Sequence, residues 1–302
     1  MVFLVTLFAC FLTLIIERAV GIGWDFHVDS VTYAEAMDFY KLNEISSFFD
    51  LSNNLHYYVV SMLGIEGTIF YNIFLTAAGN QIIYTVVIKK MNYSLKFFLL
   101  LYLFNPYKLH LSTTLLKDSA VIFFLILALF TKLNLIGVIF GGLYRNAFIV
   151  YLLLAKKLRD YFIFIFTVVV IMYFYAVGFS FDSFNDHLSE SMTFRDFDLI
   201  PNFTQFGSFI GGFLRMIVWP LITISGLFFL ISPTLAYFPL FIGSVPFIFI
   251  YSKIGIKIND LLPFIFLLSF FALIVPGYTT YFRYVFPIVC LLPYVFLHNK
   301  ER

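Results

Sequence analysis

Lys117-Asp118-Ser119-Ala120-Val121-Ile122-Phe123-Phe124-Leu125-Ile126-Leu127-Ala128-Leu129-Phe130 decides the fold class, because a charged pair leads into a run, Ala120 to Phe130, that is apolar throughout. Comparable runs cover 1–16, 67–88, 96–110, 113–131, 134–155, 161–178, 208–232, 234–251, 260–276 and 282–297. A spanning helix takes about 20 apolar residues. Several of these runs are shorter, which implies tilt or local thinning of the bilayer. The whole chain agrees with its runs. Of 302 residues, 62% are hydrophobic, 22% aromatic and only 12% charged, and the mean hydropathy is +0.95. An ordinary soluble chain is about a quarter charged, and a water-soluble fold of this size cannot bury so much apolar surface. The bilayer is therefore the solvent. Disorder and a disulfide scaffold are excluded, and a formal charge of +2 carries no nucleic-acid signal. Cys10 and Cys290 sit inside apolar runs and read as small buried hydrophobes.

Sidedness follows from Lys and Arg in short loops. Lys89 with Lys90, Lys156 with Lys157 and Arg159, Lys253 with Lys257, and Lys300 with Arg302 form basic clusters, all placed in the cytoplasm. Twelve of the 17 acids lie in two polar loops, 17–57 and 179–207, which are placed outside. The expected architecture is an all-α polytopic membrane protein, one integral domain over 1–302. It has about eight transmembrane helices plus one or two broken, re-entrant pieces, with both termini inside. The re-entrant candidates are 134–155 and 208–232, because the charge assignment makes each start and end on one side. They share a local string, Gly141-Gly142-Leu143-Tyr144-Arg145 and Gly211-Gly212-Phe213-Leu214-Arg215. A Gly pair weakens a helix and permits a sharp turn, so each Arg is expected near a break.

Ionisable side chains at membrane depth are costly and mark functional candidates. Here they are Glu66, Lys117, Asp118, Arg145, Arg215 and Arg283. Asp118 near a helix N-terminus suits the macrodipole, whereas Lys117 there does not. Lys117 either snorkels to the interface or faces an anionic substrate. The planar fork of Arg145 suits phosphate or pyrophosphate; the alternative is an internal ion pair with Glu66 or Asp118. Arg283 lies among Tyr278, Tyr281, Phe282, Tyr284 and Phe286, an interfacial belt whose aromatic faces also suit sugar rings. Arg215 makes the weakest case.

In the first external loop, Trp24 to Met37 begins loose and then reads as an amphipathic helix. Thr32 and Glu35 have capping-box spacing, and Val31, Ala34 and Met37 form one stripe suited to the membrane surface. Asp25 and Asp29 approach one another if the helix extends back that far, and a carboxylate there suits a general base. His27 alone among acids is a weak metal signal. No P-loop, Rossmann glycine pattern, CxxC pair or HExxH is present, which argues against an ATP-driven machine and a zinc protease.

Several short motifs run through the chain in order: Asp29-x-x-x-Tyr33, Leu55-His56-Tyr57-Tyr58, Asn105-Pro106, Ser112 to Asp118, and Arg283-Tyr284-x-x-Pro287. In this the chain resembles bacterial polytopic enzymes that handle polyprenyl-linked sugars, both the Wzy-type O-antigen polymerases and the GT-C glycosyltransferases. The resemblance implies glycosyl transfer from an undecaprenyl-pyrophosphate-linked sugar at the outer face of the inner membrane, in surface polysaccharide (lipopolysaccharide) assembly. It implies Asp29 as base, with Asp25 in reserve. Arg145 and Arg283 would handle the pyrophosphate, and Lys117, Asp118, Tyr33, Tyr284 and Arg215 would stand on the substrate side. The absence of a soluble carboxy-terminal domain tilts the reading to the repeat-unit polymerase. The alternatives are a single-sugar transferase and a transporter or flippase for the same lipid. The implied partners are the lipid-linked glycan, the bilayer and other polysaccharide-assembly membrane proteins. No cofactor is implied, and a divalent metal is left open.

Overall fold

The structure is a computed structural model of the chain. It describes residues 1–42, 51, 54–145, 148–154, 167–168, 171, 203, 207–225, 251–256, 258–275 and 277–301. The described residues are helical, with turns and no strand. Among the described residues, three helices are long and apolar enough to cross a membrane, over Val2–Ala19, Leu55–Lys90 and Thr280–Lys300. The expected external loop 179–207, the runs 161–178 and 234–251, and the basic clusters at 156–159 and 257 lie, save for isolated positions, outside the described residues.

The chain forms two compact units, residues 1–152 with 297–302, and residues 153–296. In the first, α1 (Val2–Ala19) packs on α4 (Leu55–Val86). Leu4, Phe8, Leu12 and Ile15 form an exposed stripe on α1, while Thr6, Cys10 and Glu17 are buried; this is one lipid-facing and one protein-facing side. Helix α4 begins at Leu55, earlier than the hydropathy suggests. It is kinked at Gly64, whose φ of 70° only glycine adopts readily. Glu66, just beyond the kink, is exposed.

The stretch 24–37 begins irregular and turns helical at Val28, as expected, but the helix is interrupted at Ala36. A 3-10 turn over Trp24–Phe26 is followed by His27 in extended conformation, then α2 (Val28–Glu35) and α3 (Met37–Leu42). Thr32 therefore lies inside α2 and caps nothing. Asp25 and Asp29 sit on separate elements. The stripe of Val31, Ala34 and Met37 is broken between α2 and α3. Both short helices pack on α4.

The stretch expected as two spans, 96–110 and 113–131, divides into α5 (Tyr93–Leu103), α6 (Pro106–Ser112) and α7 (Asp118–Phe130). Asn105 makes the division. Its side chain accepts from Tyr107 N at 2.9 Å and Lys108 N at 3.3 Å, and Pro106 at the first helical position needs no donor partner. At 1.5 Å per residue α7 is about 20 Å long, short of a hydrocarbon core of about 30 Å. Helix α8 (Asn134–Tyr144) returns along α7. A Cβ at Gly137 would fall 2.5 Å from Ala128 N, so glycine permits this close approach. α8 stops at Arg145, whose backbone is extended, and the short α9 (Phe148–Tyr151) follows. The expected break in 134–155 is thus present, but at the arginine and not at the glycine pair.

In the second unit α10 (Gly207–Ser225) packs on α11 (Ile258–Ile274), and α12 (Tyr278–Glu301) follows. The helix α10 runs uninterrupted through Gly211 and Gly212, so no break occurs at the second glycine pair. Prolines inside these helices leave carbonyls without their usual donor, and in a membrane such groups need a partner from protein. Pro220 frees the Met216 carbonyl, which accepts from Ser269 Oγ at 2.8 Å. Pro293 frees that of Val289, which accepts from the Tyr251 hydroxyl at 3.2 Å.

Candidate functional site

The centre of the first unit is the segment 105–118. Its side chains are buried, apart from partial exposure at Pro106 and Lys117, although it carries Lys108, His110, Ser112, Thr113, Thr114 and Asp118. Irregular backbone of this kind, over 113–117, is tolerated at membrane depth where protein covers it. Asn72 of α4 covers it here, donating to the carbonyls of Thr114 at 2.9 Å and Leu116 at 3.0 Å.

Two polar clusters grow from this segment. The first joins Asp118 to Arg145. Nη2 of Arg145 donates to Asp118 Oδ1 at 2.8 Å and Nη1 to the Tyr151 hydroxyl at 3.1 Å. Arg145 is 3% exposed and Asp118 fully buried. Of the partners open to Arg145 in the sequence, Asp118 is the one chosen. Lys117 is the N-cap residue of α7 and half-buried. His56 of α4 is fully buried and donates from Nε2 to the Leu115 carbonyl. The charges of Lys117, Asp118 and Arg145 all act on it. Its Nδ1 then carries a lone pair that meets no hydrogen-bond donor among the described residues. Tyr33 of α2 and Tyr144 of α8 flank the ring at 4.7 and 5.8 Å.

Tyr144 links this cluster to an open apolar groove. Its hydroxyl meets that of Tyr71 at 2.9 Å. The Tyr71 ring lines an open apolar groove of about 470 Å³ between α1 and α4, walled by Leu7, Phe11, Leu63, Phe70 and Phe74.

The second cluster was not anticipated from the sequence. His110 Nδ1 lies 2.7 Å from Glu17 Oε1, and His110 Nε2 lies 2.9 Å from His27 Nε2. Thr113 Oγ1 donates to Glu17 Oε2, so both carboxylate oxygens are engaged. All three titratable groups are buried, and Phe26 stacks edge-on against both imidazoles. Glu17 and His110 are 93 positions apart, so no local spacing reveals the pair. The usable signal was a polar string, Lys108 to Thr114, after an Asn-Pro helix start inside apolar sequence. No group of His, Cys, Asp and Glu suited to a metal ion occurs among the described residues.

The remaining candidates are placed as follows. Asp25 is exposed and Asp29 half-buried, with the Asp29 charge acting on Tyr57. Tyr33 is buried against His56 and Tyr57, which brings the motifs Asp29-x-x-x-Tyr33 and Leu55-His56-Tyr57-Tyr58 together. Arg215, Arg283 and Tyr284 belong to the second unit. Arg215 is 1% exposed, with its guanidinium 5.5 Å from the Trp219 ring and 3.4 Å from the Leu273 carbonyl. Trp219 packs on Tyr278 and Tyr281. Arg283 is buried, and Tyr284 packs against Phe271. No family model, curated protein or solved structure matches the chain.

Proposed function

We propose that this chain is a multi-pass enzyme of the bacterial inner membrane that transfers glycosyl units from a polyprenyl-diphosphate carrier at the outer face, as a repeat-unit polymerase of surface polysaccharide. About eight crossings with both termini in the cytoplasm belong to the same reading. The observation that carries it is the Tyr71–Tyr144 contact. On one side of that contact is an apolar groove open to lipid. On the other are His56, Lys117, Asp118 and Arg145. A substrate with a long apolar tail and an anionic head matches that succession of surfaces.

In this reading Lys117 meets the departing diphosphate, where a fixed cation stabilises developing charge. Arg145 braces the site through Asp118 and Tyr151. A proton acceptor on the first polar loop, for which Asp29 is the candidate from the sequence, takes the hydroxyl proton of the attacking sugar. The diphosphate leaves with the bonding electrons, so the step needs no nucleotide.

The test is genetic. Replace Arg145→Ala, Arg283→Ala, Lys117→Ala and Asp29→Asn singly in the host, confirm protein level, and separate the surface glycan on a gel. The expected result is loss of long chains with single repeats retained. Loss of every repeat would instead indicate a flippase or an earlier transferase, and unchanged glycan in all four variants would remove the proposal.

A further inference from the structure

A carboxylate and two imidazoles hydrogen-bonded in series, all buried, are an unusual possession for a protein dissolved in lipid. Replacing buried polar pairs by apolar residues is often neutral or stabilising, so stability alone gives no reason to keep them. Glu17 also stands in the last turns of α1, where the helix dipole disfavours negative charge. What the arrangement does well is hold a proton. With Nδ1–H of His110 donated to Glu17, Nε2 of His110 is an acceptor, and the 2.9 Å contact is then a hydrogen bond donated by His27 Nε2–H.

We infer that Glu17, His110 and His27 form the proton-accepting relay of the transfer reaction. His27 takes the proton of the attacking hydroxyl, and His110 and Glu17 act as positioning residues. The inference rests on the glycosyl-transfer reading and reassigns the base from Asp29 to His27, two residues earlier in the same loop. The step balances. The acceptor O–H bond breaks as its oxygen bonds the anomeric carbon, and the bond from that carbon to the carrier diphosphate breaks, its electrons leaving with the diphosphate. The proton passes to the His27 ring while the proton between the rings moves to His110. The resulting imidazolium faces the Glu17 carboxylate, which is held by Thr113. A lone imidazole would lack that compensating charge. His27 is extended, as the N-cap residue of α2 ordinarily is, and its ring packs on that of His110.

The experiment uses the full chain in a host strain deleted for it. Glu17→Gln and His27→Ala are each expected to lower the rate of glycan chain extension by about 100-fold or more, the usual scale of general-base loss. Glu17→Asp is expected to restore part of it, and Asp38→Asn, an exposed acid of the same loop, to leave it unchanged. Wild-type chain lengths in Glu17→Gln and His27→Ala, alongside short chains in Lys117→Ala, would overturn the relay and leave the glycosyl-transfer reading standing. Unchanged glycan in the deletion strain would remove both. A second measurement does not depend on the variants folding. Nitrogen-15 histidine spectra of the wild-type protein in lipid nanodiscs are expected to show one N–H···N coupling between two imidazoles. Its absence would overturn the relay at its geometric root.

Discussion

The strings Gly141-Gly142-Leu143-Tyr144-Arg145 and Gly211-Gly212-Phe213-Leu214-Arg215 share one pattern and have opposite fates. The first ends its helix at the arginine, and the second runs on as helix to Ser225. Both arginines are buried, at 3% and 1% exposure. What differs is what the surroundings offer. Arg145 finds a fully buried carboxylate, Asp118, on the neighbouring α7, while Arg215 lies over the Trp219 ring on its own helix. The glycines differ in the same sense. A Cβ at Gly141 would fall 2.2 Å from the Phe148 ring, so that glycine is the slot that receives the chain after the break. Helix breaking at a Gly pair is thus decided by tertiary partners, and the pair itself is only permissive.

The largest expected effect tests the carboxylate. Asp118→Leu takes the carboxylate from Arg145, and Arg145→Met takes the guanidinium from Asp118; each should cost about 3–5 kcal/mol, the usual penalty for breaking a buried pair from one side. SDS titration of the purified protein in mixed micelles measures it. The double variant should recover most of the loss, because removing a whole buried pair is often nearly neutral. Additive losses would show that the two groups do not depend on each other.

These two arginines also show how far the sequence reaches. The apolar runs establish helices in a membrane-soluble chain, and the cost of a lone charge at depth restricts Arg145 to a few partners, Asp118 among them. Neither argument locates the fracture of 93–130 into three short helices. There a cap at Asn105 and burial of 105–118 against α4 override an apolar pattern that reads as two spans. Glu17 reads as one solvated acid of a polar loop, and only the packing of α6 on α1 brings His110 to it. Residues that meet through long-range packing leave no periodic trace, whereas caps and apolar faces are local and do.

A smaller effect separates the glycines. Alanine at Gly141 or Gly137 drives a methyl into the Phe148 ring or into the backbone at Ala128, and overpacking of this kind costs about 1–3 kcal/mol. Alanine at Gly212 meets the Leu273 Cδ1 methyl at 3.0 Å and Arg215 Nη2 at 3.7 Å, both the movable ends of flexible side chains, and should fall below that range. Equal costs at Gly141 and Gly212 in the same titration would mean that the break after Tyr144 does not depend on the Phe148 slot.

The smallest effect is expected at Arg215. An arginine over an aromatic face contributes about 0.5–2 kcal/mol, and a methionine of similar length keeps its packing on Trp219 and Leu273. Arg215→Met should therefore change stability by about 2 kcal/mol or less in the same titration, against about 3–5 kcal/mol for Arg145→Met. A loss at Arg215 as large as that at Arg145 would mean that Arg215 also balances a buried negative charge. The two strings would then share an electrostatic role despite their different backbones, and the contrast would reduce to the slot at Gly141.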